Sequence, residues 1–166
     1  MSKPPYAPRE TDPWVIRTDY TDNHAWQDAQ TLISTPQTKY AFIPHVRFVS
    51  DEKYRDKSPS ELLPLFPDNY PHRFCFVVDR RTLQDPEHPV LVVGFSPPIP
   101  KGKDLATIMK TPRPAIRDFP PNEIKTYRVI PSELYAIENN LSIGNMDFDE
   151  FANAVDMDSV FRGFAE

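Results

Sequence analysis

The sequence predicts a single domain of the α+β class, or of a mixed α/β class, over residues 14–166. Three observations support this prediction. The 166 residues have the length of one ordinary domain, and 39% are hydrophobic, which is enough for a packed core. Twenty prolines, more than twice the usual share, require short helices and long loops. Short apolar runs and segments of helical period then follow in the order β-α-β-α-β-β-β-α, which predicts one sheet of about five strands with three or four short helices.

The chain begins with an arm, a strand and a helix in this prediction. Residues 1–13 hold four prolines and little apolar content, so we expect an extended N-terminal arm. A short apolar run predicts a strand over residues 14–18. Asp22 suits the N-cap of the helix that follows, because apolar residues recur at helical spacing until Pro36 ends it.

A second strand and a second helix are predicted next. Residues 40–49 alternate as a strand does, and Pro44 marks an edge or bulged strand because proline cannot donate to a ladder. Ser58, Pro59 and Glu61 match a capping box with proline at the first helical position. They therefore predict the start of a short helix.

The second half of the chain is predicted to hold three strands, a long insertion and a final helix. Continuous apolar runs over residues 73–79 and 89–96 predict strands that are covered on both faces. Residues 97–123 contain seven of the twenty prolines, so they are predicted to be an insertion with a turn or two of helix at most. A strand resumes over residues 124–130, and residues 148–155 repeat at helical spacing.

Several strong chemical motifs are absent from the sequence. It has no glycine-rich phosphate loop, no His-Glu-x-x-His helix, no pair of cysteines and no nucleophile elbow. Asn145, Asp147 and Asp149 match the first positions of a calcium loop, but Glu150 stands where that loop needs glycine. We therefore predict no cofactor and no metal.

Charge and cysteine content limit the partner and the compartment. The net charge of −5 argues against nucleic-acid binding. Cys75 is the single cysteine and lies in an apolar run, which indicates a buried thiol in a reducing compartment. We recognise no leader peptide in the sequence, and no apolar run approaches the ~20 residues that a membrane span needs. We expect a soluble, cytoplasmic protein and leave its oligomeric state open.

The charge is unevenly distributed along the chain. Residues 97–125 carry six basic and three acidic side chains, whereas residues 132–166 carry eight acidic and one basic. Both segments are solvated surface in the simpler interpretation. In the other, the basic insertion is a mobile lid that docks on the acidic C-terminal region or on an anionic ligand.

The first candidate site residues lie where the first strand leads into the first helix. Ligands favour the ends of strands in layered α/β folds, so Asp19 is a candidate general base or anchoring carboxylate, with Tyr20 beside it. A cluster that only caps the helix would explain Asp22 fully and Asp19 in part. His24 is either a neutral base in the first helical turn or a surface histidine, and Trp26 follows it.

Two further pairs complete the candidates. His45 and Arg47 share one face of the predicted edge strand, which would place a titrating group beside an anion anchor; a merely exposed strand has the same pattern. Asn139 and Asn140 are amides that either contact a ligand or hydrogen-bond the loop backbone. The catalytic candidates are Asp19 and His45, and the ligand-binding candidates are Tyr20, His24, Trp26, Arg47, Asn139 and Asn140.

Five segments of the chain show a family resemblance. They are residues 19–22 (DYTD) with Trp26, 85–93 (DPEHPVLVV), 138–143 (ENNLSI), 145–152 (NMDFDEFA) and 161–164 (FRGF). In these segments the chain resembles a family of short stand-alone proteins of actinobacteria and fungi, which is catalogued only as a domain of unknown function. The likeness covers roughly residues 14–96 and 124–164, and residues 97–123 resemble an insertion of the fungal branch. The resemblance implies a cytosolic single domain and supplies no activity, cofactor or catalytic residue.

Two functions are compatible with these observations. The first is a binding module that recognises a protein partner or a small ligand through the edge strand and the proline-rich insertion. The alternative is a small cofactor-free enzyme, an isomerase, cyclase or hydrolase. It would use Asp19 or His45 for acid–base chemistry and Arg47 as an anion or enolate anchor.

Overall fold

The fold is a single mixed sheet with helices on both faces, seen in a computed structural model that describes residues 6–36, 42–96, 102, 104–110 and 114–164. The strands are β1 (Trp14–Arg17), β2 (Arg47–Val49), β3 (Phe74–Val78), β4 (Val90–Gly94), β5 (Lys125–Val129) and β6 (Val160–Phe161). Their order in the sheet is β2-β1-β3-β4-β5-β6. β1 is parallel to β2 and β3, β4 is antiparallel to β3 and β5, and β6 is parallel to β5. The predicted class is confirmed, with one strand more than expected.

The α-helices of the described residues are short. They are α1 (Asn23–Ser34), α2 (Pro59–Leu62), α3 (Arg80–Gln84), α4 (Leu105–Lys110), α5 (Leu134–Ile143) and α6 (Phe148–Ala152). Asp22 caps α1 as predicted, because its side chain accepts a hydrogen bond from the Ala25 amide at 3.0 Å. The predicted capping box also begins α2, where the Glu61 side chain accepts from the Ser58 amide at 3.0 Å. Within the described residues, no helix is both long and apolar enough to cross a membrane.

The core consists of two apolar clusters, one on each face of the sheet. On one face, α1, α5 and α6 bury Trp26, Ile137 and Phe151. On the other face, α2 and the turns that follow it bury Leu62 and Phe66. All five residues of β3 are buried, which confirms that its continuous apolar run is covered on both sides.

The second predicted strand is much shorter in the structure. Only Arg47–Val49 forms β2, and residues 42–46 have no regular structure. β2 lies at an edge of the sheet, as expected, but Pro44 precedes the strand and does not interrupt it. Residues 40 and 41 lie outside the described part of the chain.

Three elements were not anticipated from the sequence. The predicted loop around Asn139 and Asn140 belongs to α5, which ends at Gly144 in the left-handed conformation with φ of 70°. Asparagine has low helix propensity, so this pair hides the helical pattern. α3 and β6 span five and two residues, which is too short for a periodic pattern to reveal them.

The insertion contributes to the core. α4 agrees with the expected turn or two of helix, and Ile116 and Phe119 are buried against the same face as α2. Arg117 lies 3.3 Å from Asp68 and not against the acidic C-terminal region. Lys101, Lys103 and Arg113 lie outside the described residues. The part of the insertion that follows residue 113 is therefore packed structure and not a free lid.

Close packing between β4 and α6 requires a glycine. A Cβ atom at Gly94 would lie 2.7 Å from the ring of Phe148, closer than real contacts allow. The same ring packs on Tyr127 of β5 at a centroid distance of 4.8 Å. Gly94 thus allows the Phe148 ring to lie directly over the sheet.

Candidate functional site

The carboxyl ends of β1 and β3 lie side by side, because the two strands are parallel neighbours in the sheet. From β1 the chain runs through α1, on one face, to β2. From β2 it runs through α2, on the other face, to β3 on the far side of β1. Strand order therefore reverses between β1 and β3. In open sheets of this kind, ligands bind outside the carboxyl ends of the strands at such a reversal.

A polar groove of about 280 Å³ opens at this point, and we call it the carboxyl-edge groove. Its walls are the end of β1 (Thr18 and Asp19), the end of β3 (Asp79 and Arg80) and residues 56–58. Backbone hydrogen bonds hold these walls together. The Thr18 amide donates to the Val78 carbonyl at 3.1 Å, and the Asp56 amide donates to the Thr18 carbonyl at 2.8 Å.

Asp19 is the most deeply placed charge of the groove. Its side chain is only 7% exposed. Oδ1 accepts hydrogen bonds from the Thr21 amide at 2.8 Å and the Thr21 hydroxyl at 2.5 Å. Oδ2 lies 3.5 Å from Nε of Arg80, whose side chain is 68% exposed. One oxygen is thus fixed by the fold, and the other is left to a loosely held arginine.

The charge state of Asp19 follows from these contacts. Burial raises the pKa of the carboxyl, but the hydrogen bonds from Thr21 and the charge of Arg80 outweigh burial and lower its pKa below the ordinary value. Asp19 is therefore ionised at neutral pH. This state suits the anchoring role expected for it, since a carboxylate of low pKa is a weak base.

Asp79, at the other wall, is already hydrogen-bonded within the protein. Its oxygens accept from both terminal nitrogens of Arg128, at 2.9 and 2.7 Å, and from the Thr82 hydroxyl at 3.0 Å. Burial raises the pKa of Asp79, but Arg128 and the hydrogen bonds from Thr82 together outweigh burial, so its pKa is lowered. Asp19, Asp56, Lys57 and Arg80 remain as the charges available to a ligand.

The groove lies within the part of the chain that matches a known protein family. The family model "Domain of unknown function (DUF6924)" matches residues 12–164. The chain belongs to the DUF6924 family. No curated protein and no solved structure matches it.

Tyr20 lies beside the groove of this DUF6924 domain, but its ring is already covered. The guanidinium groups of Arg17 and Arg55 lie 4.2 and 4.9 Å from the ring centroid. The Tyr20 hydroxyl donates to the Asp51 carbonyl at 2.6 Å. Tyr20 therefore joins the ends of β1 and β2 and is already engaged by two arginines.

Arg17 is a site residue that sequence reasoning missed. It is buried, and its Nε donates to the Asp19 carbonyl at 3.0 Å while Nη2 donates to the Asn23 side chain at 2.7 Å. It thus fixes the backbone that presents the Asp19 carboxylate. An arginine on the inward face of a buried strand was the available signal, because a buried charge needs dedicated partners.

His24 and Trp26 of α1 do not reach the groove. His24 is 83% exposed, and its Nδ1 lies 3.0 Å from the Asp28 carboxylate one helical turn away. Trp26 is buried in the core and packs on Phe48 at 6.0 Å. Their contacts match a surface histidine and a core tryptophan.

His45 and Arg47 lie at the end of the sheet where β1 begins, whereas Asp19 lies at the end where β1 finishes. Arg47 pairs with Trp14, at the start of β1, whereas Asp19 follows the end of β1. The His45 ring stacks on Tyr6 at 4.5 Å, and its amide donates to the Glu138 carboxylate at 2.5 Å. The structure does not bring Asp19 and His45 together.

Asn139 and Asn140 occupy the last turns of α5. Asn140 donates to the Ala136 carbonyl at 2.8 Å and accepts from the Asn145 side chain at 2.8 Å. It therefore connects α5 to the turn that follows, which is the structural role considered for it. Asn139 is exposed on the helix surface.

A larger cavity of about 500 Å³ lies at the amino edge of the sheet, between the start of β3 and the connection from α5 to α6. Its two basic side chains are engaged with backbone carbonyls: His72 Nε2 lies 2.6 Å from the Thr11 carbonyl, and Arg73 donates to the Pro114 carbonyl at 2.5 Å. Its wall includes Ser96, next to residues 97–100 outside the described part. Among the described residues, no group of three or more His, Cys, Asp or Glu is placed to hold a metal ion.

Proposed function

We propose that this protein is a binding module that takes a small polar molecule into the carboxyl-edge groove. The observation that supports the proposal is the Asp19 carboxylate, which is buried in the wall of the groove while its Oδ2 lies beside the exposed Arg80. Burying a carboxylate costs free energy unless both oxygens are well bonded. Oδ1 alone serves the turn at Thr21, so Oδ2 is available for a hydrogen-bond donor of a ligand.

The groove is a better candidate than the surfaces expected from sequence. β2 offers three residues to a partner strand, which is a short edge for recognition. The insertion joins the end of β4 to the start of β5. Both lie at the end of the sheet where β3 begins, away from the groove. We therefore favour a small ligand over a protein partner bound through the edge strand and the proline-rich loop.

Acid–base catalysis by Asp19 and His45 has less support than binding. The two residues lie at opposite edges of the sheet, so they do not serve one substrate. Among the described residues, no histidine lines the groove. The low pKa of Asp19 favours a carboxylate that anchors a ligand over one that moves a proton.

A cytoplasmic location and the absence of nucleic acid among the partners remain part of the proposal. The net charge of −5 supports the latter. Cys75 supports the former, because it is fully buried as a free thiol, and burial raises its pKa well above the ordinary value.

Thermal-shift screening with a library of metabolites tests the proposal. We expect some members to raise the melting temperature of the parent protein and of Asp28→Asn, a matched control at an exposed carboxylate of α1. The same compounds should not stabilise Asp19→Asn. The proposal is wrong if no compound stabilises the parent, or if Asp19→Asn and Asp28→Asn respond alike.

A further inference from the structure

We infer that the groove binds a zwitterion of amino-acid size, whose ammonium group bonds to Asp19 and whose carboxylate bonds to Arg80 and Lys57. This inference rests on the proposed function and names the class of its ligand. The charges of the groove, its size and the contact between Asp19 and Arg80 support it.

The charged side chains of the groove sum to zero, so the groove needs no ligand with a net charge. Asp79 is neutralised by Arg128 through two hydrogen bonds. The remaining charges are the carboxylates of Asp19 and Asp56 and the cations of Lys57 and Arg80, which sum to zero. Within the described residues, neither Asp56 nor Lys57 forms a direct ion pair, and Arg55 and Glu61 act on them only through longer-range electrostatics. A ligand with both an ammonium and a carboxylate group pairs with each sign, whereas an ion of one sign leaves a groove charge opposed.

The size of the groove limits the ligand. Small-molecule sites commonly span about 300–1,000 Å³, and this groove of about 280 Å³ lies just below that range. A nucleotide or a peptide of several residues would extend beyond the groove. A single amino acid or a molecule of similar size fits.

Arg80 is the group that changes partners on binding. Its Nε lies 3.5 Å from Asp19 Oδ2, and an ion pair with so exposed an arginine contributes little to stability. The ammonium group of the ligand takes the place of Arg80 at Oδ2, where it donates to the buried carboxylate. The released guanidinium then binds the carboxylate of the ligand, for which its paired N–H groups are suited.

Isothermal titration calorimetry with the full chain tests the ligand class. The probes are the twenty common amino acids and, for the tightest of them, its deaminated acid and its decarboxylated amine. We expect at least one amino acid to bind. Each analogue should bind at least about tenfold more weakly, because each lacks one ion pair with the groove. If no amino acid binds, or if either analogue binds as tightly, the inference is overturned.

Two variants assign each half of the ligand to its residue. Arg80→Gln should lower affinity for the amino acid without lowering affinity for the amine, because the amine no longer competes with Arg80 for Asp19. Asp19→Asn should lower affinity for the amino acid without lowering affinity for the deaminated acid. Arg81→Gln, on the exposed face of the same helix, is the matched control and should bind like the parent. Circular dichroism checks that each variant is folded, and Arg80 is exposed enough for its replacement to be tolerated.

The outcomes separate this inference from the proposed function. A ligand that depends on Asp19 but is not a zwitterion overturns the inference and leaves the groove as a binding site. Amino acids that bind equally to the parent, Asp19→Asn and Arg80→Gln overturn both.

Discussion

Two buried tyrosine hydroxyls in this protein differ in their hydrogen bonding. The Tyr70 hydroxyl accepts from the Trp14 amide at 3.1 Å and donates to the Phe74 carbonyl at 2.8 Å, so it joins β1 to β3. The Tyr127 hydroxyl is also buried but has no hydrogen-bond partner among the described residues. Burial raises the pKa of both phenols, so both stay neutral at physiological pH.

Removing each hydroxyl should therefore change stability with opposite sign. Tyr127→Phe should raise the free energy of unfolding by about 1 kcal/mol, because an unsatisfied polar group leaves the core. Tyr70→Phe should lower it by about 1–2 kcal/mol, since two backbone groups lose a partner. Urea denaturation measures both, and destabilisation by Tyr127→Phe would show that its hydroxyl is bonded in solution.

The pair of Asp79 and Arg128 is a second case at the residue scale. Both side chains are mostly buried, with N–O distances down to 2.7 Å. Arg128→Met should lower the free energy of unfolding by about 2–4 kcal/mol at pH 7, because it leaves a half-buried carboxylate unpaired. Asp79→Asn combined with Arg128→Met should recover part of this loss.

The same pair predicts a dependence on pH. The pKa of Asp79 is lower in the folded protein than in the unfolded chain, where aspartate has a pKa of about 4. The pair therefore stabilises the fold above about pH 4, and this contribution is lost as the pH falls through the folded pKa. The difference between the parent and Arg128→Met, measured by urea denaturation from pH 7 to pH 2, should shrink as the pH falls. A constant difference would contradict this assignment.

At the scale of elements, local signals identified some segments and failed for others. The starts of α1 and α2 were predictable because Asp22, Ser58 and Glu61 act on their own helix. β2 was not predictable in length, since its pairing with β1 decides where it begins. α5 was missed because burial of Leu134 and Ile137, and not propensity, stabilises it.

The buried part of the insertion should be required for stability. Phe119 is buried beside Leu63 and Phe66, so Phe119→Ala should lower the free energy of unfolding by about 3–5 kcal/mol. Met157→Ala, at a fully exposed position, is the control and should be neutral. Thermal melts of the two variants compare them. Equal melting temperatures would mean that residues 114–119 do not pack on the sheet.

At the scale of the whole molecule, the candidate site was only partly predictable. Asp19 was found because a polar residue after a strand is a local pattern. Lys57 and Arg80 were not, because they lie 38 and 61 positions further along the chain and reach the groove only through the strand order. Asp19 and His45 were both catalytic candidates, because a sequence does not show at which end of the strands each residue lies.

The topology also predicts which parts of the molecule open last. β3 lies between β1 and β4 and is buried on both faces, whereas β2 and β6 are short edge strands. In hydrogen exchange followed by mass spectrometry, the amides of β3 and β4 should be the slowest to exchange, and those of β2 and β6 should exchange much faster. Equal protection of β2 and β3 would contradict a core centred on β3.

The contact of Gly94 with Phe148 has a consequence for how the family evolves. Any side chain at position 94 collides with the Phe148 ring, so the two positions form one steric unit although 54 residues separate them. Relatives with alanine or a larger residue at position 94 are expected to carry a smaller residue at position 148. An alignment of the family should therefore show covariation between these two columns, and free variation at one of them would mean that α6 docks differently in those relatives.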